Sequence, residues 1–215
     1  MQRLILPYKD IKAYINEGDV LLFQGAGWIS HIIASQSDTT YSHVGVASWV
    51  NGDSNTQYGQ LDCVEFREGY GGRAVNLETQ VKKYPQRIDV YRPVPSYTSL
   101  VFDSVTRTVI TMTKNFNGKE VTRVMRRLTG LPYGWSRIWW LIKNKLVFFR
   151  FLSKEALMSD KILDIVYPVC STAVAYAFNV NEFDLINNKS DEYTEPGHIA
   201  MSPRLNYLFT LDSGD

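Results

Sequence analysis

Three residue types in this 215-residue sequence could together carry out thiol chemistry, and the first of them is a cysteine. Cys170 follows Pro168 at the beginning of the apolar segment 169–178, for which the pattern predicts a helix. The N–H groups and the dipole at a helix start favour an anion, so the pKa of the Cys170 thiol is expected to fall. The competing interpretation is a buried, unreactive cysteine, because cysteine is among the residue types most often found in protein cores.

A base and an acid lie on two apolar runs in the first half of the sequence. His43 begins the run 43–50, and Glu65 lies between Val64 and Phe66. Taken alone, a histidine there is more typical of a core or edge residue. A carboxylate in such a run must be paired or at an edge, because burying an unpaired charge is costly. If the two strands are antiparallel neighbours, Glu65 could orient His43, and a cysteine, a base and an acid would form a nucleophilic triad.

The second cysteine, Cys63, lies in the middle of the predicted strand 61–67. Side chains alternate along a strand, so Cys63 shares a face with Glu65. A thiol in mid-strand lacks a helix N-terminus, and we therefore predict a packing role for it. Two cysteines also exclude the disulfide framework that stabilises small secreted folds.

The elements that must position these residues divide the sequence into strands followed by helices. Short apolar runs between Gly, Asn and Pro turn signals predict strands, and apolar spacings of three and four residues predict helices. This order within one chain indicates an α+β fold, and the short turns indicate an antiparallel sheet. The predicted strands are 19–24, 43–50, 61–67, 73–77 and 88–91, and the predicted helices are 99–115, 119–128 and 169–178.

The charges are unevenly distributed although the formal net charge is only +1, a value that argues against a dedicated nucleic-acid binder. Residues 114–150 contain nine Lys and Arg against one acid, and the chain after residue 150 contains ten acids against four bases. We predict a basic-aromatic helical insertion at about 134–152. It could contact a membrane or another anionic surface, or it could be a solvated helix face above a core-facing aromatic stripe. Its aromatic residues are Trp135, Trp139, Trp140, Phe148 and Phe149.

No targeting segment is recognised in the sequence. The N-terminal stretch MQRLILP is too short for a signal peptide, and the apolar region 138–152 is interrupted by charges and too short to span a bilayer. We therefore expect a protein that is cytoplasmic as synthesised. A substrate in the cell envelope would require delivery by lysis, by a secretion machine or in a virus particle.

Several segments resemble a known family, the permuted papain-like cysteine hydrolases of the NlpC group, in their YiiX/YebB-like branch. In that branch the histidine strand precedes the nucleophile helix. The resemblance extends from about residue 18 to about residue 211. Its segments are GDVLLF (18–23), YSHVGV (41–46), VE (64–65), LTGLPY (128–133), VCS (169–171) and the closing segment from EPG (195–197) to SP (202–203).

The resemblance implies one papain-like domain over residues 1–215, with an antiparallel sheet packed against helices. It implies that Cys170 is the nucleophile, that His43 is the base and that Glu65 is the orienting acid. Tyr41 or Tyr133 could line the substrate site, and the sequence does not choose between them. The three histidines and two cysteines show no metal-ligand spacing, so we expect no metal site and no cofactor.

Three functions from different classes remain open at this stage. The leading one is a thiol amidase or peptidase that acts on a small peptide linkage, such as a peptidoglycan stem peptide. The second is a lipid thioesterase, phospholipase or acyltransferase, which the basic-aromatic stretch favours. The third is a non-catalytic binding or structural module of a larger assembly, for example a viral one. The expected partners are a peptide or lipid-like substrate and no nucleic acid, and the oligomeric state is left open.

Overall fold

A seven-stranded sheet forms the centre of the part of the chain that the structure describes. The computed structural model describes residues 3–25, 39–52, 59–134, 169–186, 191 and 194–213. The sheet has the strand order β1-β9-β6-β2-β3-β4-β5, and β7 and β8 form a separate two-stranded ribbon. The strands are β1 (Ile5–Pro7), β2 (Val20–Gln24), β3 (Tyr41–Val50), β4 (Gln60–Arg67), β5 (Gly71–Asn76), β6 (Ile88–Pro93), β7 (Ser96–Asp103), β8 (Thr108–Asn115) and β9 (Leu205–Asp212).

Short helices cover both faces of the sheet. An Asn side chain caps the beginning of two of them, because its carbonyl oxygen accepts a backbone N–H that has no partner within the helix. Asn76 accepts from Thr79 at 3.0 Å, and Asn117 accepts from Glu120 at 3.4 Å. The helices are α1 (Tyr8–Ile11), α2 (Leu77–Lys83), α3 (Gly118–Arg127), α4 (Cys170–Asn179) and α5 (Pro196–Ala200), and a 3₁₀ turn (Lys12–Tyr14) follows α1.

The sheet has a hydrophobic core on each face. On one face α3 and α4 pack over Val44 and Val46, with Met125 contributed by α3. On the other face α1 and α2 pack over Trp49, with Leu77 contributed by α2. Strands that are buried on both faces read as nearly continuous apolar runs, which explains why β2 and β3 were recognisable in the sequence.

The α+β class is confirmed, and the sheet differs from the prediction in one respect. The five predicted strands and the helices predicted at 119–128 and 169–178 are present, with ends shifted by one or two residues. The sheet is mixed rather than antiparallel throughout, because β1 pairs parallel to β9. These two strands were not predicted from the sequence, and the pairing brings distant parts of the chain together.

The helix predicted at 99–115 is wrong, because this segment forms β7 and β8. Asp103 accepts hydrogen bonds from the backbone N–H of Val105 at 2.9 Å and from the hydroxyl of Thr106 at 2.6 Å, which stabilises the turn. Arg107 has a positive φ of 54° at the same turn. β-branched residues prevail in β8, and their preference for extended backbone outweighs an apolar spacing that mimics a helix.

The basic-aromatic insertion predicted at about 134–152 lies, apart from Gly134, outside the described residues. None of the helices in the described part of the chain combines the length and apolar character needed to cross a bilayer.

Gly45 allows β3 and β4 to pack closely at the level of Glu65. The two residues are directly opposite in the antiparallel register. A Cβ atom at position 45 would lie 2.5 Å from Cys63 Sγ and 3.3 Å from Glu65 Cβ. The space beside Gly45 is therefore already filled by the side chains of β4.

We predict that Gly45→Ala destabilises the fold by about 1–3 kcal/mol, because an added methyl group overpacks a filled site. The measurement is the free energy of unfolding in urea. In the double variant Gly45→Ala/Cys63→Ala the closest clashing atom is gone, so the Gly45→Ala cost should be smaller than in the native background. Equal costs in both backgrounds would contradict the contact as described.

Candidate active site

His43 and Glu65 are brought together by the register of β3 and β4. His43 lies near the beginning of β3, and Glu65 lies near the end of β4. Because Gly45 is opposite Glu65, the imidazole and the carboxylate share one face of the sheet. His43 Nε2 lies 2.6 Å from Glu65 Oε2, and the Glu65 side chain is fully buried. This contact orients the ring and leaves Nδ1 for a second partner.

Arg73 and Gln80 hold the other oxygen of the Glu65 carboxylate. Arg73, opposite Glu65 on β5, donates from Nε and Nη2 to Oε1 at 2.8 and 2.6 Å. Gln80 of α2 donates from Nε2 to the same oxygen at 2.8 Å. Burial alone would raise the pKa of Glu65, but His43, Arg73 and the more distant Arg67 hold it at about 2. The carboxylate is therefore ionised throughout the neutral range.

Cys170 lies in the first turn of α4, as the sequence predicted, and is the first residue of the helix; α4 packs against β3. The backbone before the helix is extended at Val169, whose N–H donates to Thr172 Oγ1 at 3.0 Å. Ser171 donates its hydroxyl to the carbonyl of Thr194 at 2.6 Å. These bonds hold the beginning of the helix, and with it the thiol, against the remainder of the site.

The thiol and the imidazole are adjacent, and each favours the charged form of the other, as in a charge pair. Cys170 Sγ lies within hydrogen-bonding reach of His43 and of the N–H groups of Val44 and Ser171. Burial alone would raise the pKa of the Cys170 thiol, but the His43 charge and these hydrogen bonds lower it. Burial alone would lower the pKa of His43, but Glu65 and Cys170 raise it to about 9. Both directions favour thiolate and imidazolium at neutral pH.

The two tyrosines that were candidates for the substrate site have different surroundings. Tyr133 is partly buried, and its hydroxyl is within hydrogen-bonding reach of Cys170. Burial and the adjacent thiolate raise the pKa of Tyr133, so its hydroxyl stays protonated and can donate. Tyr41 instead donates to Asp89 Oδ2 at 2.5 Å and contacts the Tyr91 hydroxyl at 3.0 Å. A substrate-binding role stays a prediction for both residues.

Two glycines of β5 bring the segment that carries Tyr133 against the sheet. Gly72 donates its N–H to the carbonyl of Leu131 and accepts from the N–H of Gly130, both at 2.8 Å. A Cβ atom on Gly71, whose φ is +72°, would lie 2.2 Å from the Leu131 oxygen. Only glycine allows this approach, which explains the Gly-Tyr-Gly-Gly turn that begins at Gly69.

Cys63 has surroundings opposite to those of Cys170. It is fully buried in mid-strand, and its Sγ lies 3.9 Å from Glu65 Oε2. Burial and the negative charge of Glu65 raise the pKa of the Cys63 thiol well above its ordinary value. It remains a neutral thiol at pH 7, which agrees with the packing role predicted for it.

Arg73 and Gln80 are the site residues that the sequence reasoning did not name. The turn at Gly69 predicts a hairpin between β4 and β5, and extending this pairing from the turn places Arg73 opposite Glu65. Gln80 carried no such signal, because it comes from a short helix that was not predicted. Of the other histidines, His198 accepts the backbone N–H of Glu195 at 3.1 Å, and His31 lies outside the described residues.

The sheet order and the helices on its faces define an α+β protein with a YiiX-like fold. A similar solved structure is that of the metalloprotein YiiX from Escherichia coli O157:H7, with a TM-score of 0.53 and 14% sequence identity. The match covers 90% of this chain and 96% of that chain. No family model matches the sequence, and no curated protein matches it. At this identity the likeness shows the fold alone, and the permuted papain-like assignment stays a prediction.

The word metalloprotein applies to the similar protein, and the residues described here do not fit a metal ion. Within residues 3–25, 39–52, 59–134, 169–186, 191 and 194–213, no group of three or more His, Cys, Asp and Glu side chains could hold one. Glu65 already has donors on both oxygens, and His43 Nε2 faces the carboxylate.

We predict that Cys170 reacts with iodoacetamide as a thiolate at pH 7, below the pKa of an ordinary thiol. In His43→Ala the rate at this pH should fall roughly tenfold or more, because the neighbouring positive charge that favours the thiolate is lost. The measurement is the pH–rate profile of alkylation, with the modified cysteine located by peptide mass. An unchanged profile in His43→Ala would contradict the charge pair.

We predict that the pKa of Glu65 makes the fold sensitive to acid. The folded value of about 2 lies below the ordinary value of 4.5, so the ionised carboxylate stabilises the fold above pH 4.5. This contribution is lost as the pH falls from 4.5 towards 2. Glu65→Gln should flatten the decline in unfolding free energy over this window. Glu78→Gln, which removes a carboxylate from an exposed pair with Lys82, should leave the decline nearly unchanged.

Proposed function

We propose that this chain is a cysteine hydrolase that cleaves an amide bond, with Cys170 as nucleophile, His43 as base and acid, and Glu65 as the orienting carboxylate. The observation that carries the proposal is the continuous polar chain from Glu65 through His43 to Cys170, in which the pKa of the thiol is lowered and that of the imidazole is raised. A cysteine used only for packing gains nothing from an adjacent imidazolium. Cys63 has the contrasting surroundings, in which burial and the charge of Glu65 raise the pKa of the thiol.

The first half of the proposed reaction forms an acyl-enzyme. Cys170 Sγ attacks the carbonyl carbon, and the π electrons move to the oxygen. Collapse of the tetrahedral intermediate breaks the C–N bond, and the imidazolium of His43 donates its Nδ1 proton to the leaving nitrogen. Glu65 accepts a hydrogen bond at Nε2 throughout, which maintains the ring orientation. The products are a thioester on Cys170 and a free amine.

The second half regenerates the thiol. Neutral His43 removes a proton from water as the water oxygen attacks the thioester carbonyl. Loss of the thiolate gives a free carboxylic acid and restores the charge pair. Two groups support the oxyanion in both halves, namely the backbone N–H of Cys170 at the helix start and the hydroxyl of Tyr133 beside the sulfur.

Small peptides are the proposed substrate class, with peptidoglycan stem peptides as the leading case because the sequence resembles the NlpC group. A wall substrate requires delivery of the protein to the envelope, by lysis, secretion or a virus particle, as part of the same proposal. The proposal needs no cofactor.

A lipid ester or thioester is the alternative substrate, and one observation favours it. The β7–β8 ribbon exposes large apolar side chains, among them Leu100 at 75% and Val105 at 89%, which a lipid surface could cover. The same nucleophile would cleave an acyl ester by the same two steps.

The test compares hydrolysis of muropeptides and of acyl esters by the native chain and by three variants. We expect Cys170→Ala and His43→Gln to lower muropeptide turnover by roughly 10⁴-fold, because residues of a triad act as a unit. The control Cys63→Ala removes the other thiol and should retain turnover to within a few-fold.

Two results would contradict the leading function. Faster turnover of acyl esters than of muropeptides would favour the lipid alternative. If Cys170 forms no covalent adduct with any peptide or acyl electrophile, as detected by intact mass, the chain is a non-catalytic module.

A further inference from the structure

A basic cavity lies beside Glu65 on the α2 face of the sheet. Its volume is about 430 Å³. Three of its lining side chains are cations, and none of the described lining residues is acidic. The lining residues are Arg67, Tyr70, Arg73, Val75, Thr79, Gln80, Lys83, Tyr84 and Pro85.

Two tyrosine rings hold the arginines of this cavity in place. Arg73 stacks on Tyr70 at 4.4 Å, and Arg67 stacks on Tyr84 at 5.5 Å, measured to the ring centroids. Stacking restrains the guanidinium planes and leaves their edges available to a ligand. Arg73 uses Nε and Nη2 for Glu65, so Nη1 is the nitrogen left for the cavity. Lys83 is exposed at the end of α2.

Gln80 presents an acceptor that has no partner. Its Nε2 must face Glu65, because a carboxylate only accepts hydrogen bonds, and this fixes the orientation of the amide. The opposite atom, Oε1, is buried and has no hydrogen-bond partner among the described residues. A buried acceptor of this kind requires a donor, such as an N–H group of a ligand.

The cavity adjoins the proposed nucleophile. The ring of Tyr84, on the cavity wall, lies 5.0 Å from that of Phe23, which in turn lies 5.0 Å from the imidazole of His43. Arg73, Gln80 and Arg67 border Glu65, the residue that contacts His43. Burial raises the pKa of Tyr84, and the charge of Cys170 raises it further, so this wall of the cavity lies near the proposed nucleophile.

We infer that the cavity is a subsite for a peptide unit that carries a free carboxylate, with the carboxylate bound by Arg67 and Lys83 and an amide N–H donated to Gln80 Oε1. This inference rests on the proposed function and names its substrate class as acidic peptides. The cavity combines cations with one acceptor that lacks a hydrogen bond, Gln80 Oε1. This combination distinguishes it from a phosphate-binding site, which would present donors alone.

The test uses three electrophiles that share a bromoacetyl group and alkylate Cys170. N-bromoacetyl-β-alanine carries a carboxylate and an N–H, its carboxamide is neutral, and N-bromoacetylethanolamine phosphate carries a phosphate. With the native chain we expect saturation by the carboxylate reagent and a rate roughly tenfold above that of the carboxamide, the effect of one charge-assisted hydrogen bond.

Two neighbouring lysines of α2 provide a matched pair of variants. Lys83→Gln removes a cation of the cavity and should reduce the carboxylate preference to roughly threefold or less. Lys82→Gln removes the same charge one residue away, from a side chain that pairs with Glu78 and does not line the cavity, and should leave the preference intact.

A second measurement does not depend on thiol reactivity. Cys170→Ala is titrated with N-acetyl-β-alanine and with its carboxamide, and binding is followed by NMR. We expect binding of the carboxylate alone, and its loss in Cys170→Ala/Lys83→Gln. If Cys170 fails to react with all three reagents while this binding persists, the proposed function fails and the subsite stands.

Three results would overturn the subsite. They are equal alkylation by the carboxylate and the carboxamide, an equal loss of preference in Lys82→Gln and Lys83→Gln, and saturation by the phosphate reagent at a higher rate than by the carboxylate.

Discussion

The buried carboxylate of Glu65 is the constraint on which the rest of the site depends. An ionised group taken out of water costs several kcal/mol unless charged partners and hydrogen bonds surround it. Glu65 obtains those partners from β3, β5 and α2, through His43, Arg73 and Gln80. The stability of this one buried charge therefore depends on the register of β3, β4 and β5 and on the position of α2. Gly45 belongs to the same arrangement, because its missing side chain makes room at the level of the carboxylate.

The same negative charge has opposite consequences for the two cysteines. Cys63 lies beside Glu65, and burial together with that charge keeps its thiol neutral. At Cys170 the imidazole of His43 lies between, and the charge of Glu65 stabilises an imidazolium that in turn favours the thiolate. Burial raises the pKa of both thiols and so disfavours the ionisation of each. The intervening imidazole is what makes the surroundings of the two thiols differ.

Much of the site was predictable because it depends on local patterns. A proline before an apolar run indicated a helix with Cys170 in its first turn, and short apolar runs indicated the strands of His43 and Glu65. The ribbon at residues 99–115 shows the limit of such patterns. Apolar spacing close to that of a helix also arises by chance in an exposed hairpin, and only the turn at Asp103 distinguishes the two.

The sequence by itself determined the α+β class, the strands and helices that carry the three candidate residues, and the inequality of the two thiols. The tertiary structure alone decided that Arg73 and Gln80 hold Glu65, that Tyr133 rather than Tyr41 reaches the sulfur, and that a basic cavity adjoins the site. The physical reason is the range of the interactions. Helix starts and strand alternation are encoded within a few residues, whereas a charge pair or a cavity depends on segments that meet only after the sheet has formed.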